Sequence, residues 1–248
     1  MARLPTTARG RLARSALVSL GLATIFVPLI GGATSETGGL SSWFWRFGSV
    51  LWLSSAVLLV VCLVVAGRIS RPIHFYVLDR IALWPGVLVL LIGGIGLLQL
   101  GLGPLFVRAF AVGLVVGLFA LPLGIALRVK VMRQAISEGH LSKSLNTEEA
   151  TWDPRSDADN VLKDPRFQRS GCLLSLLFWA GPALGLALSD IVGQASALVI
   201  AGLIGVSMGY VGLLASGTDL AVLSLELKTM EQRLNRRIIL EPEFVRGG

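Results

Sequence analysis

The sequence predicts an all-α fold: a polytopic integral membrane bundle of six transmembrane helices, with both termini in the cytoplasm. Composition, six long apolar runs and the placement of the basic residues carry that reading. The chain has 248 residues, 54% of them hydrophobic and 15% charged. Soluble domains stand near 45–50% and about 25% respectively. Its mean hydropathy is +0.75.

About 20 consecutive apolar residues cross a hydrocarbon core about 30 Å thick. Six stretches meet that length: Ser15 to Gly32, Phe47 to Gly67, Ile81 to Leu100, Leu105 to Leu127, Gly171 to Ser189, and Ile191 to Ser216. The first, preceded by Arg3, Arg9, Arg11 and Arg14, also has the layout of a signal peptide. It is read here as a membrane helix.

Orientation follows from Lys and Arg, because short basic loops stay in the cytoplasm. With the N-terminus inside, 20 of the 22 basic residues fall on the cytoplasmic side, and only Arg46 and Arg108 fall on or near the other. This orientation predicts a multi-pass protein of the inner cell membrane. Trp43, Phe44 and Trp45 then form an aromatic anchor at the outer interface, where amphipathic rings prefer to sit. The net charge of +7 has a topological explanation, and no nucleic-acid partner is expected. Binding nucleic acid requires basic residues gathered on one folded face, whereas here they alternate with apolar runs.

The outer connections are short. Gly101 to Pro104 makes a tight turn between the third and fourth runs, and Asp190 separates the fifth from the sixth. The cytoplasmic pieces are larger. Arg68 to Arg80 links the second and third runs. The next loop begins as a helical extension from Arg128 to about Ser144 and then turns polar. From Asn146 to Ser170 it has too few apolar side chains to fold alone. Trp152 and Phe167 are among the few, available to dock on a partner or on the chain's own helices.

In the tail, Thr218 and Asp219 after Gly217 read as a helix start. This divides the chain into a membrane unit, 1–217, and a cytoplasmic helix and tail, 218–248. Leu220, Leu223, Leu227, Met230 and Leu234 repeat at heptad spacing. Two readings of this seam stand side by side: an amphipathic helix lying on the protein's own cytoplasmic face or the headgroups, and a surface for a partner helix. Pro242 is expected to end any helix, with Phe244 anchoring the tail.

Within the membrane the strongest pattern is small residues at helical spacing. Gly113, Gly117 and Gly124 mark the fourth run, Gly181 and Gly185 the fifth, and Ala201, Gly205 and Gly209 the sixth. Small side chains let backbones approach where lipid offers no hydrophobic drive, so runs four to six are expected to pack on one another or on further copies. Pro85, Pro122 and Pro182 interrupt helices, and Gly93, Gly94 and Gly96 make a weak point in the third. Arg108 and Asp190, with Gln99 and Gln194 nearby, are the candidate pathway or gate residues, all towards the outside.

No catalytic, cofactor-binding or metal-ligating set can be assembled. The two histidines, His74 and His140, are cytoplasmic, and the two cysteines, Cys62 and Cys172, sit inside apolar runs. Phosphate-loop, zinc-protease and nucleophile-elbow motifs are absent. The expected function is therefore a non-catalytic membrane subunit. It would assemble with other subunits, its own or different, through small-residue faces and dock a cytosolic protein by its loop and tail. A transporter or channel subunit, working with a cytosolic motor or as an oligomeric pore, is the alternative.

Overall fold

The computed structural model describes residues 7–33, 39–101, 125–126, 129–131, 133–134, 144–155 and 197–246. Its elements are α1 (Ala8–Ala33), α2 (Gly39–Val65), a 3-10 turn (Ala66–Arg68), α3 (Pro72–Gly101), β1 (Leu145–Asn146), β2 (Thr151–Trp152), α4 (Ala197–Leu234), β3 (Ile239–Leu240) and α5 (Pro242–Arg246). The protein is mostly helical. Among the described residues, three segments are long and apolar enough to cross a bilayer: Ala8–Gly32, Phe44–Arg68 and Pro72–Leu98.

The surface of these helices is that of a membrane protein. Leu17, Val18, Ile25 and Leu29 on α1, and Val50, Leu53, Val57, Val60 and Val64 on α2, are all exposed. A contiguous apolar face of this extent would not remain bare in water. Ser19, Ser55 and Asp79, by contrast, are buried between the helices.

α1 starts one residue after Thr7, whose side-chain oxygen accepts the Gly10 N–H at 3.1 Å, a helix N-cap. It runs parallel to α3 and antiparallel to α2. Ser15 meets Asp79 and Ser19 meets Gly86, whereas Ser19 meets Ser55 and Thr24 meets Trp52. α2 begins at Gly39, ahead of the expected Phe47, and this changes the aromatic anchor. Phe44 is buried in a core with Val27, Ile30, Leu51, Val89 and Leu97, while Trp45 stays half exposed.

α3 is helical throughout, Pro85 and the glycines included. The glycines serve close approach. A Cβ on Gly94 would stand 2.6 Å from the Gly202 carbonyl oxygen, and one on Gly202 would stand 2.8 Å from the Gly94 oxygen. Gly205 meets the Leu90 carbonyl and Gly209 the Leu91 backbone in the same way. α4 therefore lies antiparallel on α3, from Gly202 beside Gly94 down to Glu231 beside Arg71.

α4 also corrects the expected helix start at Thr218. It is one helix of 38 residues that runs straight through Gly217, Thr218 and Asp219. The physical reason is continuity of its α3-facing side. The glycine stripe gives way to Ser216, Asp219, Val222, Leu223 and Leu227, all buried, so there is no point at which packing on α3 stops. The helix ends at Asn235, whose φ of 49° is the left-handed cap that asparagine tolerates. Pro242 likewise begins α5 rather than ending a helix, a place where its missing N–H is not needed.

Candidate functional site

The end of the bundle carrying the starts of α1 and α3 and the finish of α4 is closed by a small folded cap. Three stretches far apart in sequence build it: the beginning of α1, residues 144–155, and the tail from Ile238. β1 and β2 pair antiparallel, Leu145 opposite Trp152 and Asn146 opposite Thr151. In the turn between them the Asn146 side-chain oxygen accepts the Glu148 N–H at 3.1 Å, and Ala150 takes a left-handed φ of 52°. β3 adds to β2 in parallel, Thr151 opposite Ile239 and Trp152 opposite Leu240. The Leu240 N–H donates to the Ser70 carbonyl at 2.7 Å, which ties the sheet to the link between α2 and α3.

Trp152 is the pivot of the cap. It is fully buried, and its indole N–H donates to the Tyr76 hydroxyl at 3.1 Å. Next to Tyr76, Phe75 stacks edge-on against Phe244 of α5, ring centroids 5.2 Å apart. The Arg11 guanidinium lies over the Phe75 ring, 5.5 Å from its centroid, and donates to the Pro154 carbonyl at 3.0 Å. Segment 144–155 thus folds because α1, α3 and the tail supply the apolar partners that it lacks by itself. At the rim, Arg155 bonds Asp153 at 2.8 Å and also pairs with Glu241. The hydrogen bond that Arg155 donates to Asp153 chiefly raises its pKa above the ordinary value; burial opposes this, and the weaker bond it donates to Glu241 adds to it.

The heptad residues of the tail are turned into this structure. Leu223 and Leu227 are buried in its core, and Leu220, Met230 and Leu234 are half buried against it. Of the residues assigned to partner docking, these and Trp152 pack on the chain's own helices, while Phe167 lies outside the described residues. The charged residues that the cap leaves exposed include Glu148 and Glu149 at the hairpin tip, Arg233 in the last turn of α4, and Arg236 and Arg237 just past its end.

Gly205 and Gly209 lie at a close helix contact, and the helix they meet is α3. Gly113, Gly117, Gly124, Gly181 and Gly185 lie outside the described residues, as do Arg108, Asp190 and Gln194. Ala201 and Gln99 are helical.

Sequence reasoning did not single out the polar contacts between the spans. Next to Pro85 in α3, the Gly86 N–H donates to Ser19 Oγ at 2.7 Å. Ser19 Oγ lies 3.2 Å from Ser55 Oγ, whose own hydrogen goes to the Leu51 carbonyl at 2.9 Å. These contacts run from Gly86 through Ser19 to Ser55, joining three helices. One turn of α1 earlier, Ser15 donates to the buried Asp79 carboxylate at 2.6 Å. The signal was present as Ser15 and Ser19 at i, i+4 on one face of α1. Among the described residues no three His, Cys, Asp or Glu side chains gather to hold a metal ion.

The chain matches no protein-family model, no curated protein and no solved structure.

Proposed function

We propose that this chain is a six-span, non-catalytic subunit of the inner cell membrane, with both termini cytoplasmic, whose cap is a docking platform for a cytosolic protein. The single observation that carries the reading is the convergence of both ends of the chain and the 144–155 hairpin into one buried core around Trp152. An isolated anchor needs only its spans. A pinned cap that buries Trp152, Ile238, Leu240 and Phe244 and presents opposite charges at Glu148, Glu149, Arg236 and Arg237 offers a partner a charged surface.

The number of spans has its own support. α3 ends at the face opposite the cap, and α4 begins there, because the two are antiparallel. Between them the chain must come down to the cap for Trp152 and go back. The two intervals, 102–143 and 156–196, each contain one apolar run of crossing length, Leu105 to Leu127 and Gly171 to Ser189. The basic residues put the capped end inside.

Purification in mild detergent tests the platform. A stoichiometric cytosolic partner is expected, and it is lost when Arg236 and Arg237 are both changed to Glu while thermal stability is retained. A partner-free chain, or a partner indifferent to charge reversal at both Arg236/Arg237 and Glu148/Glu149, contradicts it.

A further inference from the structure

We propose that the groove between the start of α3 and the lower part of α4 is a binding site for one anionic phospholipid of the leaflet at the capped end. The groove encloses about 400 Å³ and is lined by Arg71, Pro72, Ile73, Ser224, Leu225, Leu227, Lys228, Glu231 and Ile238. Its depth is what first points to a lipid. α3 has 30 residues, about 45 Å at 1.5 Å per residue. That exceeds the hydrocarbon thickness of about 30 Å by roughly the depth of a headgroup layer at each face. Sharing that excess between the two faces puts the edge of the hydrocarbon about five residues into α3, near Val77. Pro72 and Ile73 then lie at headgroup level, and antiparallel pairing brings Leu225 and Lys228 to the same level.

The chemistry of the lining has the two halves that a phospholipid requires. Leu225 is 54% exposed, beside Ile73 and Pro72, so the wall nearest the bilayer is apolar. One turn further out, Lys228 is exposed and, among the described residues, forms no ion pair. The acid in the groove is already neutralised. Glu231 receives Arg71 at 3.2 Å and the Ile238 N–H at 3.1 Å. The lining carries Arg71 and Lys228 against Glu231, a net single positive charge, which complements a phosphodiester. In this arrangement the phosphate sits at Lys228, with the Arg71 guanidinium alongside, and the first acyl methylenes lie on Leu225 and Ile73.

Native mass spectrometry of the purified full chain, with phosphatidylglycerol and phosphatidylcholine of identical acyl chains added in turn, tests the site. A basic residue near the surface favours anionic lipid by about five-fold. Phosphatidylglycerol adducts should therefore exceed phosphatidylcholine adducts by about that factor, and Lys228→Gln should remove the excess. Leu225→Ser, at an exposed position that leaves the fold intact, should weaken both lipids. Equal retention of the two lipids by the unaltered chain overturns the proposal, as does an excess that survives Lys228→Gln. Binding of soluble glycerol 3-phosphate as tight as that of phosphatidylglycerol would make this a free-anion site, and equally overturns it. If Lys228→Gln does not fold, Leu225→Ser and the two-lipid comparison decide.

Discussion

Tyr76 and Trp152 are hydrogen-bonded at 3.1 Å, hydroxyl to indole N–H, with both rings buried. Tyr76 belongs to α3 and Trp152 to a two-residue strand in a polar loop, so this contact fixes the loop to the bundle. The indole is fully buried. Tyr76→Phe should therefore cost about 1–3 kcal/mol for the stranded donor, and Trp152→Phe about 1 kcal/mol for the bond, with some packing loss besides. Trp152→Ala should cost about 3–5 kcal/mol. Thermal unfolding in detergent, with protease cleavage in 144–155 as the local readout, checks the order Ala, then Tyr76→Phe, then Trp152→Phe.

The α3–α4 contact predicts a sharp contrast between two glycines. On Gly94 a methyl group meets backbone, 2.6 Å from both the Gly202 oxygen and the Val206 nitrogen, while on Gly217 it meets nothing within 4 Å. Gly94→Ala should destabilise by about 1–3 kcal/mol or more, since backbone cannot turn aside. Gly217→Ala should be neutral or stabilise by up to about 1 kcal/mol through helix propensity. Unfolding midpoints of the two variants, measured side by side, test this.

Ser19 is the centre of the three-helix polar contact and should matter more than Ser55. Ser19→Ala removes the oxygen that accepts the Gly86 N–H, at a cost of about 1–2 kcal/mol. Ser55→Ala leaves that bond in place, and the Ser19 hydroxyl can turn to its own helix. Its cost should be nearer the roughly 0.6 kcal/mol typical of membrane hydrogen bonds. The double variant should cost less than the sum of the two, because both act through one chain of bonds.

Deleting the tail after Leu234 removes β3, Phe244 and the Glu241 partner of Arg155. Phe75 and Trp152 lose their covers. The truncated chain should unfold several degrees lower and be cut in the 144–155 hairpin at protease levels that leave the full chain whole. Unchanged stability would mean that the tail is not part of the core.

Hydropathy alone marked the first three spans, because each is a long run whose composition differs from anything stable in water. The helix starts were less legible. α2 and α3 begin eight or nine residues before their apolar runs, since Trp45, Arg46, His74 and Asp79 are compatible with a helix without being apolar. The glycine stripe of α4 was visible at Gly205 and Gly209, but periodicity names a face and not the helix opposite. That helix is α3, with Gly94 as the counterpart. The continuity of α4 through Gly217 was hidden for a related reason: a Gly-Thr-Asp sequence is a local stop-and-start signal, and tertiary packing on α3 overrides it. The cap was the least legible part. Trp152, Ile239 and Phe244 come from distant segments, and nothing local to any one of them announces the sheet that joins them.

The topology underlies both the docking platform and the span count, and a labelling experiment tests it most directly. In a chain with Cys62 and Cys172 replaced, single cysteines are placed at the exposed cap positions Glu148 and Arg236 and at Gly101 at the far end of α3. Each is then offered a membrane-impermeant maleimide in sealed vesicles of both orientations. Glu148→Cys and Arg236→Cys should react together, only when the cytoplasmic face is outward, and Gly101→Cys only in the opposite orientation. Reaction of the two cap cysteines from opposite faces, or of all three from one face, would contradict the account.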